Sequence, residues 1–147
     1  MPMIPRRRPS RTVLSVLAML TMVGMATAAR ADGAWIGSDW SSPFGPIFLA
    51  VNAANNEVEG EYPDFDGRLV GTVNLDATRI DATWLQATSD VRCDGSLGGT
   101  YYWGTVTWVF DPPQRMTGKW AYCNGPWEGE WHATLIGGTH PRKAMGY

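Results

Sequence analysis

The most regular feature of the chain is a five-residue alternation in which large apolar residues flank a small one, each separated by one variable position. The alternation occurs six times, at Val58–Tyr62, Leu69–Val73, Ile80–Trp84, Tyr102–Val106, Met116–Trp120 and Trp127–Trp131. A period of two places all three key residues of a unit on one face of a strand. The intervening positions are mostly charged residues or Thr, which suits an opposite face in water. The pattern therefore predicts β-strands.

Turn-forming segments separate these units. Residues 52–56, 63–67, 74–78, 111–114 and 124–126 are rich in Asn, Asp, Gly and Pro, which favour turns. Two further strands are predicted before the first unit, one around Trp35 and one from Ile47 to Val51. Eight short strands joined by short turns are typical of an antiparallel meander that closes on itself. We expect an all-β, eight-stranded antiparallel up-and-down barrel with a core of about residues 34–136.

The small residue at the centre of each unit has two interpretations. Glycine in a strand often marks a position where a neighbouring aromatic ring lies over bare backbone or where the sheet bends. Alternatively, a belt of small residues around the barrel opens a cavity. The sequence leaves both interpretations open.

Strand direction predicts that the two ends of the barrel differ. Connections in a meander alternate between the ends, so the loops that hold Cys93 and Cys123 fall at the same end, here called the mouth. The flanking residues nearer the mouth are Tyr62, Leu69, Trp84, Tyr102, Trp120 and Trp127, whereas those nearer the base are Val58, Val73, Ile80, Val106, Met116 and Trp131. The mouth positions are mostly aromatic and the base positions mostly aliphatic.

This asymmetry predicts a ligand site at the mouth. The candidate binding residues are Tyr62, Trp84, Tyr102, Trp120 and Trp127, above a floor formed by Val58, Ile80 and Met116. Such rings bind a ligand by stacking and by hydrogen bonds from their polar groups. The alternative is that the rings meet across the barrel and fill it, because an eight-stranded barrel has room only for side chains or one small ligand.

The first 31 residues have the features of a secretory signal peptide. Arg6, Arg7, Arg8 and Arg11 precede an apolar stretch from Val13 to Met25, and Ala29-Arg30-Ala31 provides the small residues that favour cleavage before Asp32. We therefore expect residues 1–31 to be removed and residues 32–147 to form a single barrel domain that does not insert into a membrane.

The cysteines and the charge fit an exported protein. Cys93 and Cys123 are the two cysteines of the chain and are predicted to form a disulfide in the periplasm or outside the cell. Cleavage leaves 7 basic residues against 14 acidic ones. A domain this acidic is repelled by phosphate backbones, so we expect no nucleic-acid partner.

The sequence lacks the residue sets of common catalytic and metal sites. Its two histidines, His132 and His140, lie far from any matching ligand pattern. Asp64-Phe65-Asp66-Gly67 matches only part of a calcium loop. We therefore expect no catalytic residue, no bound metal and no cofactor.

Two functions remain. The first is a binding module that holds a small flat or sugar-like ligand in the aromatic mouth. The second is an envelope interaction or structural protein, including an inhibitor-like role, which uses its loops and outer face. Predicted outward-facing apolar residues favour the second, because exposed apolar patches mark partner surfaces; they are Phe48, Val70, Tyr101, Trp103 and Val109.

The order of these motifs resembles that of a set of uncharacterised secreted bacterial β-barrel domains. The resemblance is carried by Phe44–Leu49, Val58–Tyr62, Gly67–Val73, Ile80–Trp84 and Met116–Trp120. More distantly, Gly33-Ala34-Trp35, Gly60-Glu61-Tyr62 and Gly104–Trp108 are similar to avidin-type barrels, and the first motif also to lipocalins. Both resemblances imply the barrel fold. The first turn, Asp39–Pro43, departs from the Asn and Ser contacts of avidins, so the resemblance does not imply biotin binding.

Overall fold

The structure is a computed structural model that describes residues 34–142. The predicted signal peptide lies outside the described residues. The strands are β1 (Trp35–Ser42), β2 (Gly45–Asn52), β3 (Glu57–Tyr62), β4 (Gly67–Val73), β5 (Arg79–Gln86), β6 (Tyr102–Asp111), β7 (Arg115–Tyr122), β8 (Gly129–Glu130), β9 (Ala133–Leu135) and β10 (His140–Arg142). Within residues 34–142, the one helical element is a 3₁₀ turn at Pro63–Phe65.

The strands form a closed antiparallel barrel. Each strand from β1 to β7 pairs with its neighbour in sequence, and β9 pairs with both β7 and β1, which closes the ring. Strands β8 and β9 together take the eighth position. The predicted all-β, eight-stranded barrel is confirmed. Strand β10 pairs with the start of β1 and so extends the sheet beyond the predicted core end at residue 136.

The base half of the barrel is filled by packed side chains. Val58, Ile80 and Met116, the predicted floor, are at most 1% exposed. Other large residues of the barrel core that are almost completely buried are Ile47, Leu49, Leu69, Val106 and Trp108. A solid apolar floor therefore supports the aromatic end above it.

Four glycines lie directly opposite an aromatic residue on the neighbouring strand. The register pairs are Tyr62 with Gly67, Trp84 with Gly104, Trp108 with Gly118 and Trp120 with Gly129. At Gly67, Gly104 and Gly118 the aromatic side chain occupies the space that a glycine Cβ would need; a Cβ on Gly104, for example, would lie 2.5 Å from Trp84 Cζ2. A Cβ on Gly129 would make a tight contact, 3.0 Å from Trp120 Nε1. Gly104, Gly118 and Gly129 are centres of the alternating units, so the interpretation that rings lie over bare backbone is confirmed at these three unit centres.

The disulfide joins two loops at one end of the barrel. Cys93 and Cys123 are bonded, with an S–S distance of 2.07 Å. Their Cα atoms lie 5.7 Å apart, within the usual range for disulfides. Cys93 lies in the loop between β5 and β6, and Cys123 directly follows β7. The predicted disulfide is confirmed, and so is the placement of both cysteine loops at the mouth.

Candidate functional site

A cavity of about 330 Å³ lies at the mouth. Seven aromatic residues line it: Phe44, Tyr62, Phe65, Trp84, Trp120, Tyr122 and Trp131. Its polar wall is formed by Gln86, the last residue of β5, and by Thr88, Ser89 and Asp90 in the loop that follows. The cavity thus has an aromatic side and a polar side.

The structure brings three of the five predicted binding residues to this cavity. Tyr62, Trp84 and Trp120 line it. Tyr102 lies at the first position of β6, opposite Gln86, but is not among the lining residues. Its strand position was predicted correctly, while its place in the cavity wall was not.

The structure does not place Trp127 at the mouth cavity, and the reason is local. Strand β8 begins only at Gly129, so the alternation that would turn Trp127 inward does not extend to it. Trp127 instead contributes to a shallow depression on the outer face of β5 and β6, beside Thr83 and Thr105, and is 51% exposed. Trp131, which the sequence assigned to the base, lines the mouth cavity in its place.

Besides Trp131 and the polar wall, three aromatic lining residues were absent from the predicted binding set. Tyr122 is the next inward position after Trp120, so extending the alternation by one step would have found it. Phe44 and Phe65 lie in turns, where alternation carries no information. Phe44 is placed by its hairpin, because its backbone N–H donates to Ser42 Oγ at 3.2 Å, and that hydroxyl donates to Gly45 O at 2.7 Å.

The lower rings pack against each other across the barrel. Trp131 contacts Tyr62 and Trp108, with ring centroids 5.2 and 5.0 Å apart. All three are nearly fully buried. At this level the predicted alternative, rings that fill the barrel, is what the structure shows.

Hydrogen bonds fix the indoles of these inner rings. Trp84 Nε1 donates to Ala121 O at 3.1 Å, and Trp108 Nε1 donates to Trp131 O at 2.7 Å. Trp131 Nε1 donates to Ser42 Oγ at 3.2 Å. Because their N–H groups already have partners within the protein, the two of these indoles that line the cavity, Trp84 and Trp131, offer a ligand ring surface and no free donor.

The upper rings leave open space. Phe44, Trp120 and Tyr122 are only partly buried, and Phe65 is about half exposed. Trp120 meets Tyr122 at a centroid distance of 4.9 Å and Phe44 at 6.1 Å, both nearly perpendicular. The aromatic mouth therefore combines a packed lower tier with an open upper tier.

Tyr62 carries an unusual polar group. The residue is 1% exposed, and its hydroxyl is the one buried side-chain polar atom among residues 34–142 that has no hydrogen-bond partner. Burial raises the pKa of this hydroxyl well above its ordinary value of 10.0, and the Gln86 side chain, which lies close enough to lower it, offsets only part of the rise. A buried hydroxyl without a partner costs free energy, and here it belongs to a cavity wall.

The polar wall is held rigidly against the aromatic wall. Thr100 Oγ1 donates to Gln86 O at 2.6 Å, which ties the two ends of the β5–β6 loop together. The disulfide fixes the same loop to the residue after Tyr122. The cavity walls are thus linked covalently as well as by hydrogen bonds.

The described residues show no other recognisable centre. Across residues 34–142, no group of three or more His, Cys, Asp or Glu side chains is arranged to hold a metal ion. Over the same range, no helix combines the length and apolar character needed to span a membrane.

Comparison of the chain with protein-family models, with curated proteins and with solved structures finds no match.

Proposed function

We propose that the protein is a secreted, non-enzymatic binding module that holds a small ligand in the mouth cavity. The observation that carries this proposal is the buried Tyr62 hydroxyl, which lacks a partner at the wall of an open aromatic cavity. A ligand that supplies a hydrogen bond to this group would remove its cost.

The dimensions of the cavity support a small ligand. Its volume of about 330 Å³ is at the lower end of the range for ligand pockets. Mostly aromatic walls with a few polar groups on one side are typical of such pockets. Each ring that contacts a ligand contributes roughly 0.5–1.5 kcal/mol beyond its buried area.

The lining residues also support a role without catalysis. They include one carboxylate, that of Asp90, and neither His nor Cys, so they hold neither a Ser-His-Asp nor a Cys-His set. The disulfide is consistent with a periplasmic or extracellular location. The proposal includes export of the protein, directed by residues 1–31 as a signal peptide that is then removed.

Tryptophan fluorescence tests this function, since Trp84, Trp120 and Trp131 line the cavity. The protein is titrated with sugars, flat compounds such as biotin and haem, lipids and small ammonium compounds. We expect at least one saturable shift in the wild type. Ser89→Tyr fills the cavity mouth and should abolish the shift, whereas Ser96→Tyr, on the exposed part of the same loop, should preserve it.

Two results contradict the proposal. One is the absence of a saturable shift with every compound. The other is a shift that persists unchanged in Ser89→Tyr, because binding then takes place outside the cavity.

The second candidate is a protein-interaction role for the outer face. It is favoured by the exposure of Val70, Tyr101 and Val109, which are 42%, 40% and 49% exposed. Phe48 and Trp103, predicted for the same surface, are partly buried. Co-purification of a partner that is lost in a Val70→Thr/Val109→Thr variant and retained in Ser89→Tyr would support this role against the first.

A further inference from the structure

The charged groups around the mouth favour a cation. Among the residues that line the cavity, Asp90 is acidic and none is Lys or Arg. The two arginines nearest in sequence to the mouth walls are engaged elsewhere. The Arg92 guanidinium lies 3.8 Å from the centre of the Tyr101 ring, and Arg68 donates to Gly98 O at 3.0 Å. An anionic ligand would therefore face a carboxylate with no positive charge among the lining residues.

The arrangement of the rings favours a compact ligand over a flat one. Phe44 is nearly perpendicular to Trp120, at 89°, and to Phe65, at 80°. Trp120 and Tyr122 meet at 88°. Rings at right angles to each other present both faces and edges to the space between them. A compact ligand can contact several of these surfaces at once, whereas a flat ligand stacks on one face only. Because ring faces carry negative potential, a corner of this kind suits a small cation.

Tyr62 and Gln86 supply a different kind of contact. The buried Tyr62 hydroxyl has no partner in hydrogen-bond geometry among the described residues, although the Gln86 side chain lies close enough to lower its pKa. Both residues line the cavity. A ligand that carries a short hydroxyl-bearing arm would satisfy this group, while its charged end remains with the upper rings and Asp90.

We propose that the ligand is a small methylated ammonium compound with a short polar arm. Its cationic head lies among Phe44, Trp120 and Tyr122 and is balanced by Asp90, and its arm reaches Tyr62 and Gln86. This inference rests on the proposed binding function and specifies its ligand class.

The test compares two probes of the same shape. Choline carries the quaternary ammonium group, and 3,3-dimethylbutan-1-ol replaces its nitrogen by carbon and has no charge. Both are titrated against tryptophan fluorescence. We expect choline to saturate, and the neutral alcohol to bind at least about tenfold more weakly because it lacks the cation–π and carboxylate interactions.

Variants locate the charge recognition. Asp90→Asn should weaken choline binding several-fold and leave the affinity for the neutral alcohol unchanged. The matched control, Asp111→Asn, removes a carboxylate from the end of β6 at the base and should change neither affinity. Trp120→Leu should weaken choline binding more than alcohol binding.

The outcomes separate this inference from the function on which it rests. Equal affinities for the two probes, or binding of sugars or biotin without choline, would overturn the ammonium inference and keep a binding module. No saturable response to any compound would overturn both.

Discussion

The pairing of Trp84 with Gly104 gives a direct test of how the barrel wall is built. A Cβ added to Gly104 would collide with the backbone carbonyl oxygen of Ala121 and would lie 2.5 Å from Trp84 Cζ2. Neither obstacle is easily moved. The carbonyl belongs to the β7 ladder and also accepts the Trp84 indole hydrogen bond at 3.1 Å. Even the single methyl group of Gly104→Ala must therefore displace the Trp84 ring or push strands β6 and β7 apart.

The expected loss of stability follows from these contacts. Overpacking a core costs about 1–3 kcal/mol, and contact with backbone places this substitution at the upper end. A buried indole N–H that loses its acceptor adds about 1 kcal/mol or more. The lower entropy of alanine in the unfolded chain offsets about 0.4–1 kcal/mol. We expect a net decrease of about 3 kcal/mol in the free energy of unfolding, or about 12 °C or more in Tm for a domain of this size.

Urea unfolding followed by tryptophan fluorescence measures this loss. The matched control is Gly95→Ala, because a Cβ on Gly95 would meet nothing within 4 Å. We expect the control to change the free energy of unfolding by less than about 0.5 kcal/mol, as surface substitutions usually do. If Gly104→Ala is as stable as Gly95→Ala, the explanation of the small residues by close ring approach is refuted.

Three further predictions concern the site. Replacing Cys93 and Cys123 by Ser should lower the free energy of unfolding by about 3–4 kcal/mol, since the bond closes a loop with a sequence separation of 30, and mass spectrometry of the wild type should find no free thiol. Trp84→Ala should cost about 3–5 kcal/mol in urea unfolding, as for a packed core ring, whereas Trp120→Ala, being only partly buried, should cost less than about 2 kcal/mol and weaken binding more. Tyr62→Phe should be at least as stable at neutral pH, because it removes a hydroxyl without a partner. Since burial raises the pKa of that hydroxyl, the folded protein still holds its proton above about pH 10, where the unfolded chain loses it. The free energy of unfolding of the wild type should therefore fall with rising pH above about pH 10, and up to about pH 11 it should fall more than that of the variant.

The features that the sequence predicted well are those that depend on strand periodicity. Val58, Ile80 and Met116 each begin an alternating unit, and the alternation alone predicts that they face inward. A strand turns successive side chains to opposite faces, and this does not depend on the rotamer that each side chain adopts. The position of the cysteines follows from the same reasoning. Two strands lie between the loops of Cys93 and Cys123, so an antiparallel meander brings both loops to the same end of the barrel. The disulfide in the structure agrees with this.

The errors occur where that periodicity ends. Trp127 follows the turn at residues 124–126, and strand pairing resumes only at Gly129, so its side chain lies outside the barrel. Phe44 is a turn residue whose position depends on the Ser42 hydrogen bonds. Whether the rings fill the barrel or line a cavity was also beyond the sequence, because it depends on how far each ring tilts toward the wall, and alternation fixes only the face.

The two interpretations of the small residues are consequences of one arrangement. Tyr62, Trp84 and Trp120 each lie over a glycine of the adjacent strand at the mouth level. A ring that lies against the wall occupies volume that a side chain at the glycine position would otherwise take. An eight-stranded barrel has little interior volume to spare, so each such pair leaves more room along the axis than two ordinary side chains would. The glycines that let the rings pack closely therefore also leave the space that the mouth cavity occupies.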